Sequence, residues 1–78
     1  MKIAYPVVFT QEKVGYSTVV PDLSGCFSEG DTFENACKYT KEAIELYLEG
    51  EKEYPPASVP AKIKLKQNQL LSLIEVTI

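Results

Sequence analysis

The sequence predicts a small α+β domain of order β-β-β-α-β, with one helix covering one face of a small mixed sheet. Three observations predict it. Residues 2–10 and 15–21 have the composition and alternation of strands. Ala36, Thr40, Ala43, Ile44, Tyr47 and Leu48 recur at helical spacing. Residues 70–78 then return to strand alternation. Strands grouped in runs around a single helix belong to α+β layering, not to regular βαβ repetition. A chain of 78 residues has room for one domain, which spans 1–78.

In residues 2–10, Ile3, Tyr5, Val7 and Phe9 point one way and Lys2, Ala4, Pro6, Val8 and Thr10 the other. Pro6 has no N–H to give a ladder, so its nitrogen must face a bulge or an unpaired position. Residues 11–15 (Gln-Glu-Lys-Val-Gly) form a polar turn, and 15–21 (Gly-Tyr-Ser-Thr-Val-Val-Pro) a second strand, giving an antiparallel hairpin. Pro21-Asp22-Leu23-Ser24-Gly25 is a turn cluster, and 26–29 a short third strand closed by Gly30. Thr32 or Asp31 caps the helix, with Glu34 three residues after Asp31 at capping-box spacing. Glu34, Lys38, Lys41, Glu42, Glu45 and Glu49 fall opposite the apolar stripe, and Gly50 is the stop. Three prolines keep residues 51–61 out of regular helix. Residues 62–66 (Lys-Ile-Lys-Leu-Lys) read as a short extended piece, and 70–78 as a strand with Leu70, Ile74, Val76 and Ile78 on one side. If the third and fourth strands are parallel, the helix is their right-handed crossover.

Charge is uneven along the chain. Residues 22–53 hold nine acids against three lysines, a net of −6, within a chain of net −3 that has neither arginine nor histidine. Phosphate-backbone binding needs clustered positive charge, so the acidic middle points to a basic macromolecular partner. Lys62, Lys64 and Lys66 are the only opposing hint, for a nucleic-acid-binding role. Without histidine, histidine general-base and Cys–His schemes are absent. A two-metal nuclease needs converging carboxylates, and the strands offer only Glu75. The glycines form no phosphate loop. The expectation is a non-enzymatic domain without cofactor or metal. Cys26 and Cys37 lack metal-site or disulfide-framework spacing and read as free thiols. No apolar run approaches the roughly 18 residues of a membrane span, and the N-terminus lacks a signal-peptide core. A cytoplasmic location without membrane contact is expected.

Several stretches carry a family resemblance. They are Tyr16-Ser-Thr-Val-Val-Pro-Asp22-Leu23-Ser24-Gly25-Cys26-Phe27, Gly30-Asp31-Thr32-Phe33-Glu34-Asn35-Ala36 and Lys41-Glu42-Ala43-Ile44-Glu45-Leu46-Tyr47-Leu48. Tyr5-Pro6-Val7-Val8-Phe9, Pro55-Pro56-Ala57-Ser58 and Leu73-Ile74-Glu75-Val76 extend the match over nearly the whole chain. The chain resembles the HicB antitoxin family, departing at Asn35, where Glu is frequent. The resemblance implies a partial RNase H-like βββαβ fold. It also implies a HicA partner, a small basic ribonuclease that cleaves mRNA with a histidine and whose active site HicB covers. Many members carry a C-terminal DNA-binding domain. This chain stops at Ile78, as a short member or a piece of a longer antitoxin, and operator binding does not carry over to these residues. A stand-alone RNA/DNA-binding or regulatory scaffold role is the alternative.

The candidate partner-binding residues are Tyr16, Asp22, Glu29, Asp31, Glu42, Glu45 and Glu49. Each has a plainer structural reading: Tyr16 as half-core, Asp22 as a local turn organiser, Asp31 as a helix cap and the glutamates as a solvated helix face. Tyr54 is either packing or contact. Self-association to a dimer or tetramer is expected if strand 70–78 lies at a sheet edge.

Overall fold

A computed structural model describes all residues, 1–78. Strands β1 (Lys2–Gln11), β2 (Tyr16–Val19) and β3 (Phe27–Gly30) precede helix α1 (Phe33–Leu48), and β4 (Gln69–Thr77) ends the fold. The sheet order is β3-β2-β1-β4, and all three pairings are antiparallel. The α+β class and element order are therefore as predicted, but the sheet is not mixed. Short turns join β1 to β2 and β2 to β3, and such turns reverse the chain. β4 then adds antiparallel to the free edge of β1. The third and fourth strands lie at opposite edges, so α1 is not a crossover between parallel neighbours.

Local chemistry explains where the ladders stop. Glu12 donates its N–H to Gly15 O at 3.0 Å, closing the β1–β2 turn. Gly15 has φ +76°, and a Cβ there would stand 2.1 Å from Gly30 O. Hydrogen-bonded pairs recur every second residue from this closing pair, through Thr10–Ser17 and Val8–Val19. The next would be Pro6–Pro21, and neither proline has an N–H to give. The ladder ends at Val8–Val19 for this reason, which meets the expectation that Pro6 would face an unpaired position.

The core lies between the sheet and α1. Tyr5, Val7 and Phe9 of β1 are fully buried with Ala36, Ile44 and Leu48 of the helix and Ile74 and Val76 of β4. Register puts Thr18, Ile74 and Val76 on the same face as these β1 residues. At the centre, Thr40 donates its hydroxyl to Ala36 O at 2.6 Å. The Thr18 and Thr40 hydroxyl oxygens are 2.7 Å apart, so with Thr40's proton engaged, Thr18 is the donor. This buried pair ties the helix to β2 with no hydroxyl left orphaned.

The helix starts one residue later than an Asp31 cap requires. Thr32 has extended backbone, and its hydroxyl accepts the N–H of Asn35 at 3.0 Å. The short threonine hydroxyl serves as the cap, leaving Asp31 exposed beside it. The helix ends at Leu48 with Glu49 as C-cap, and Gly50 follows in the left-handed region at φ +83°. Residues 62–66 are not one extended segment. Pro60–Lys62 form a single 3-10 turn, with Ile63 N–H bonded to Pro60 O at 3.1 Å. Proline at the first position favours that turn, so the three lysines do not share one extended face.

Candidate protein-binding site

The seven candidate residues separate into three groups. Tyr16 packs inward: its half-buried ring stands edge-on to Phe9 (centroids 6.5 Å) and to Phe33 (5.6 Å). Phe9 and Phe33 lie 4.7 Å apart. The trio fixes the start of α1 against the sheet.

Asp22 has both carboxylate oxygens engaged. Oδ2 accepts Ser58 N–H at 2.8 Å, and Oδ1 accepts the Ser58 hydroxyl. The expected local turn role belongs instead to the backbone: Leu23 N–H bonds Val20 O at 3.0 Å and Cys26 N–H bonds Leu23 O at 2.9 Å. Asp22 reaches 36 residues along the chain to hold the segment after the helix. Beside it, Tyr5 donates its phenol to Pro55 O at 2.6 Å. Burial, and then the Asp22 carboxylate, push the Tyr5 phenol above its ordinary value of 10.0. The two bonds explain why the proline-rich 55–58 stretch follows α1 in a set path.

The remaining five acids are exposed. Glu29 and Asp31, with Val14, Asn35 and Tyr39, line a cavity of about 340 Å³ where β3 passes into α1. Glu42, Glu45 and Glu49 continue along the helix surface away from the sheet. The placement of Glu45 and Glu49 runs against helix stability. No basic residue lies in the last turn of α1, yet acids near the negative end of the helix dipole are unfavourable. Tyr39 (42% exposed) and Leu46 (71% exposed) sit among them. Spacing Tyr39–Glu42–Leu46–Glu49 is helical and makes one outward stripe. Lys38 lies over the Tyr39 ring at 5.9 Å. The sequence reading missed Tyr39 and Leu46. Their signal was available, as large apolar side chains off the buried stripe. The outward face of α1 thus exposes two large side chains, Tyr39 and Leu46, beside Glu42, Glu45 and Glu49, with Lys38 and Lys41 also on the helix surface.

No three His, Cys, Asp or Glu side chains converge as metal ligands. Cys26 is buried and Cys37 half-buried, both as free thiols, and burial raises both pKa values above 9.0, aided at Cys37 by Glu34. Such thiols are poor nucleophiles. No helix is long and apolar enough to cross a membrane.

Comparison with known proteins bears on the family and the fold. Residues 5–73 match the model of the HicB-like antitoxin of bacterial toxin–antitoxin systems. An uncharacterised 14.9 kDa protein from the rep–hol intergenic region of Haemophilus phage HP1 is 37% identical over 73 residues, covering 90% of this chain and 55% of that protein. The chain spans about half the length of the first curated relatives it matches. Among solved structures, the N-terminal domain of Burkholderia pseudomallei antitoxin HicB superposes with TM-score 0.82 at 26% identity, covering 97% of this chain and all (100%) of that one. A chain of a HicA3–HicB3 toxin–antitoxin complex superposes with TM-score 0.73 at 26% identity, covering 91% and 94%. With a family match that runs from within β1 to within β4 and the fold of a HicB N-terminal domain, the chain belongs to the HicB-like antitoxins.

Proposed function

We propose that this chain is the toxin-binding domain of a HicA/HicB type II toxin–antitoxin pair, and that it neutralises a small, basic HicA-like mRNA ribonuclease by covering its active site. It works by occlusion and carries out no chemistry of its own. The observation that carries this reading is the outward face of α1. Glu45 and Glu49 lie at a helix end that disfavours them, with Glu42 one turn before it, beside the exposed Tyr39 and Leu46. Glu29 and Asp31 extend the negative potential to the other end of the helix. A ribonuclease must present positive charge to RNA phosphates. An acidic face of this kind competes for that charge, steers the encounter and excludes the substrate. The family membership and the likeness to a chain of a toxin–antitoxin complex support the same partner class.

The test is calorimetric titration of the chain with a basic HicA-like protein encoded beside it. A stoichiometric complex is expected, with association slowing as salt screens the exposed charges. No complex at low ionic strength rejects the proposal.

A further inference from the structure

We infer that the free edge of β3 docks an extended, basic segment of another protein, which adds antiparallel to the sheet as a further strand. The inference does not rest on the toxin-binding reading, because it is carried by a backbone edge and not by the outer face of α1.

β3 is the edge strand opposite β4 in the sheet. Val20 donates its N–H to Cys26 O at 3.0 Å just before the strand begins. Hydrogen-bonded pairs alternate from there, so Ser28 and Gly30 direct their backbone groups to Thr18 and Tyr16 of β2. Phe27 and Glu29 direct their N–H and C=O groups outward, and no turn, loop or cap bond reaches those four groups. Both residues are exposed, so the edge is open to solvent. A bare edge of this kind is a template for another strand. Its four residues limit the offer to one short register.

The edge runs between two cavities. One, of about 570 Å³, opens on the sheet face away from the helix, where Val19 is 48% and Phe27 61% exposed. The other, of about 340 Å³, lies towards α1, between Glu29 and Asp31 on one side and Asn35 and Tyr39 on the other. Glu29 borders both. Side chains of an added strand alternate between the two faces. Directly opposed residues share a face, so the residue across from Phe27 rests on Phe27 and Val19, and the one across from Glu29 meets its carboxylate. The residue across from Gly30 turns to the helix side, beside Asp31. In strand addition the main-chain bonds give affinity, and pockets for alternate side chains give specificity.

Charge and spacing select the occupant. The surrounding residues 22–53 carry a net of −6. The one ion pair of the chain joins Lys2 to Glu75, so neither Glu29 nor Asp31 has a lysine partner. An incoming strand with Lys or Arg across from Gly30 and Glu29 and an apolar residue across from Phe27 complements both cavities. From its N-terminus that strand runs basic-basic-x-apolar. A nucleic acid is repelled by the same acids. A second copy of this chain fits poorly. About an axis at Ser28, Phe27 meets the other copy's Glu29, and about an axis at Glu29, like charges meet. An axis at Phe27 leaves Glu29 beyond the end of the other strand.

NMR titration of the whole chain with the acetylated, amidated peptide Arg-Arg-Thr-Val-Thr tests the inference. Saturable shifts are expected at the Phe27 and Glu29 amides below about 1 mM. Exchange at both amides should slow, and exchange at Ser28, whose N–H is already bonded to β2, should not change. Methylating the valine nitrogen removes its bond to Phe27 O and should weaken binding about tenfold or more. Glu29→Lys should weaken it by a similar factor with circular dichroism unchanged, because the side chain is exposed. The peptide Arg-Thr-Thr-Arg-Val keeps the composition and charge but loses the spacing, and should bind as weakly as the methylated one. No saturable shift at Phe27 and Glu29 up to that concentration overturns the inference. So does equal affinity for the methylated or the reordered peptide, which reduces the association to charge alone. The titration contains no toxin, so its failure leaves the toxin-binding reading standing.

Discussion

Thr18 and Thr40 form the buried link between sheet and helix, and their substitution makes a sharp test of how the docking face is held. Thr18 is 4% exposed and Thr40 fully buried. Thr40→Val is nearly isosteric but removes the acceptor of the Thr18 hydroxyl, which is then left without its protein partner. Leaving one buried donor unsatisfied costs about 1–3 kcal/mol. Thr18→Val leaves Thr40 still bonded to Ala36 O at 2.6 Å, so only one hydrogen bond is lost, at about 0.5–1.5 kcal/mol. The double variant orphans nothing and should be less destabilised than Thr40→Val alone. A chain of 78 residues has roughly 4–12 kcal/mol of total stability. With a urea slope of about 1 kcal/mol per molar for a small domain, Thr40→Val should lower the midpoint by about 1–3 M. Urea unfolding followed by circular dichroism reads all three variants. If the double variant loses the sum of the two single losses, the donor–acceptor assignment is wrong.

Three further outcomes follow from the same structure. Asp22→Ala should destabilise the chain by about 1–3 kcal/mol, as both bonds to Ser58 are lost. Amide exchange at Ser58 should accelerate, and unchanged protection there would count against the Asp22–Ser58 link. The raised values of Cys26 and Tyr5 mean that the folded state holds protons the unfolded state releases. Stability from these groups is therefore complete below about pH 9, falls above it as unfolded thiols and then phenols ionise, and levels off beyond the folded values. Tyr5→Phe should remove the part of the decline that begins near pH 10, visible in urea midpoints between pH 8 and 11. Reversing charge at Glu45 and Glu49 to lysine should stabilise α1 by up to about 1 kcal/mol through the helix dipole, measured as a raised urea midpoint. A lowered midpoint would show that the acids stabilise the helix.

The parts of the fold legible in the sequence are those written in side-chain periodicity. Alternation placed Tyr5, Val7 and Phe9 on the core face, and the helical stripe named Ala36, Thr40, Ile44 and Leu48, all buried. Periodicity says which face a residue takes but not which strand lies beside it. Nothing local to residues 70–78 distinguishes the edge of β1 from that of β3, so the wholly antiparallel order was not foreseen. Contacts between distant residues were hidden for the same reason. Asp22 read as a local turn residue because Ser58 is 36 positions away. Within the candidate site, the acids stood out through their number. Tyr39 and Leu46 did not, because an isolated apolar residue on a helix surface is ordinary until the geometry sets it among them.

The central claim is that the acidic outer face of α1 masks a basic ribonuclease. Cleavage of a single-stranded RNA by a HicA-like protein encoded beside this chain, titrated with the wild-type chain and with the Glu42→Lys, Glu45→Lys, Glu49→Lys variant, tests it most directly. Wild type should abolish cleavage near stoichiometric ratio, while the folded triple variant should leave the ribonuclease active. Full inhibition by that variant would contradict the account.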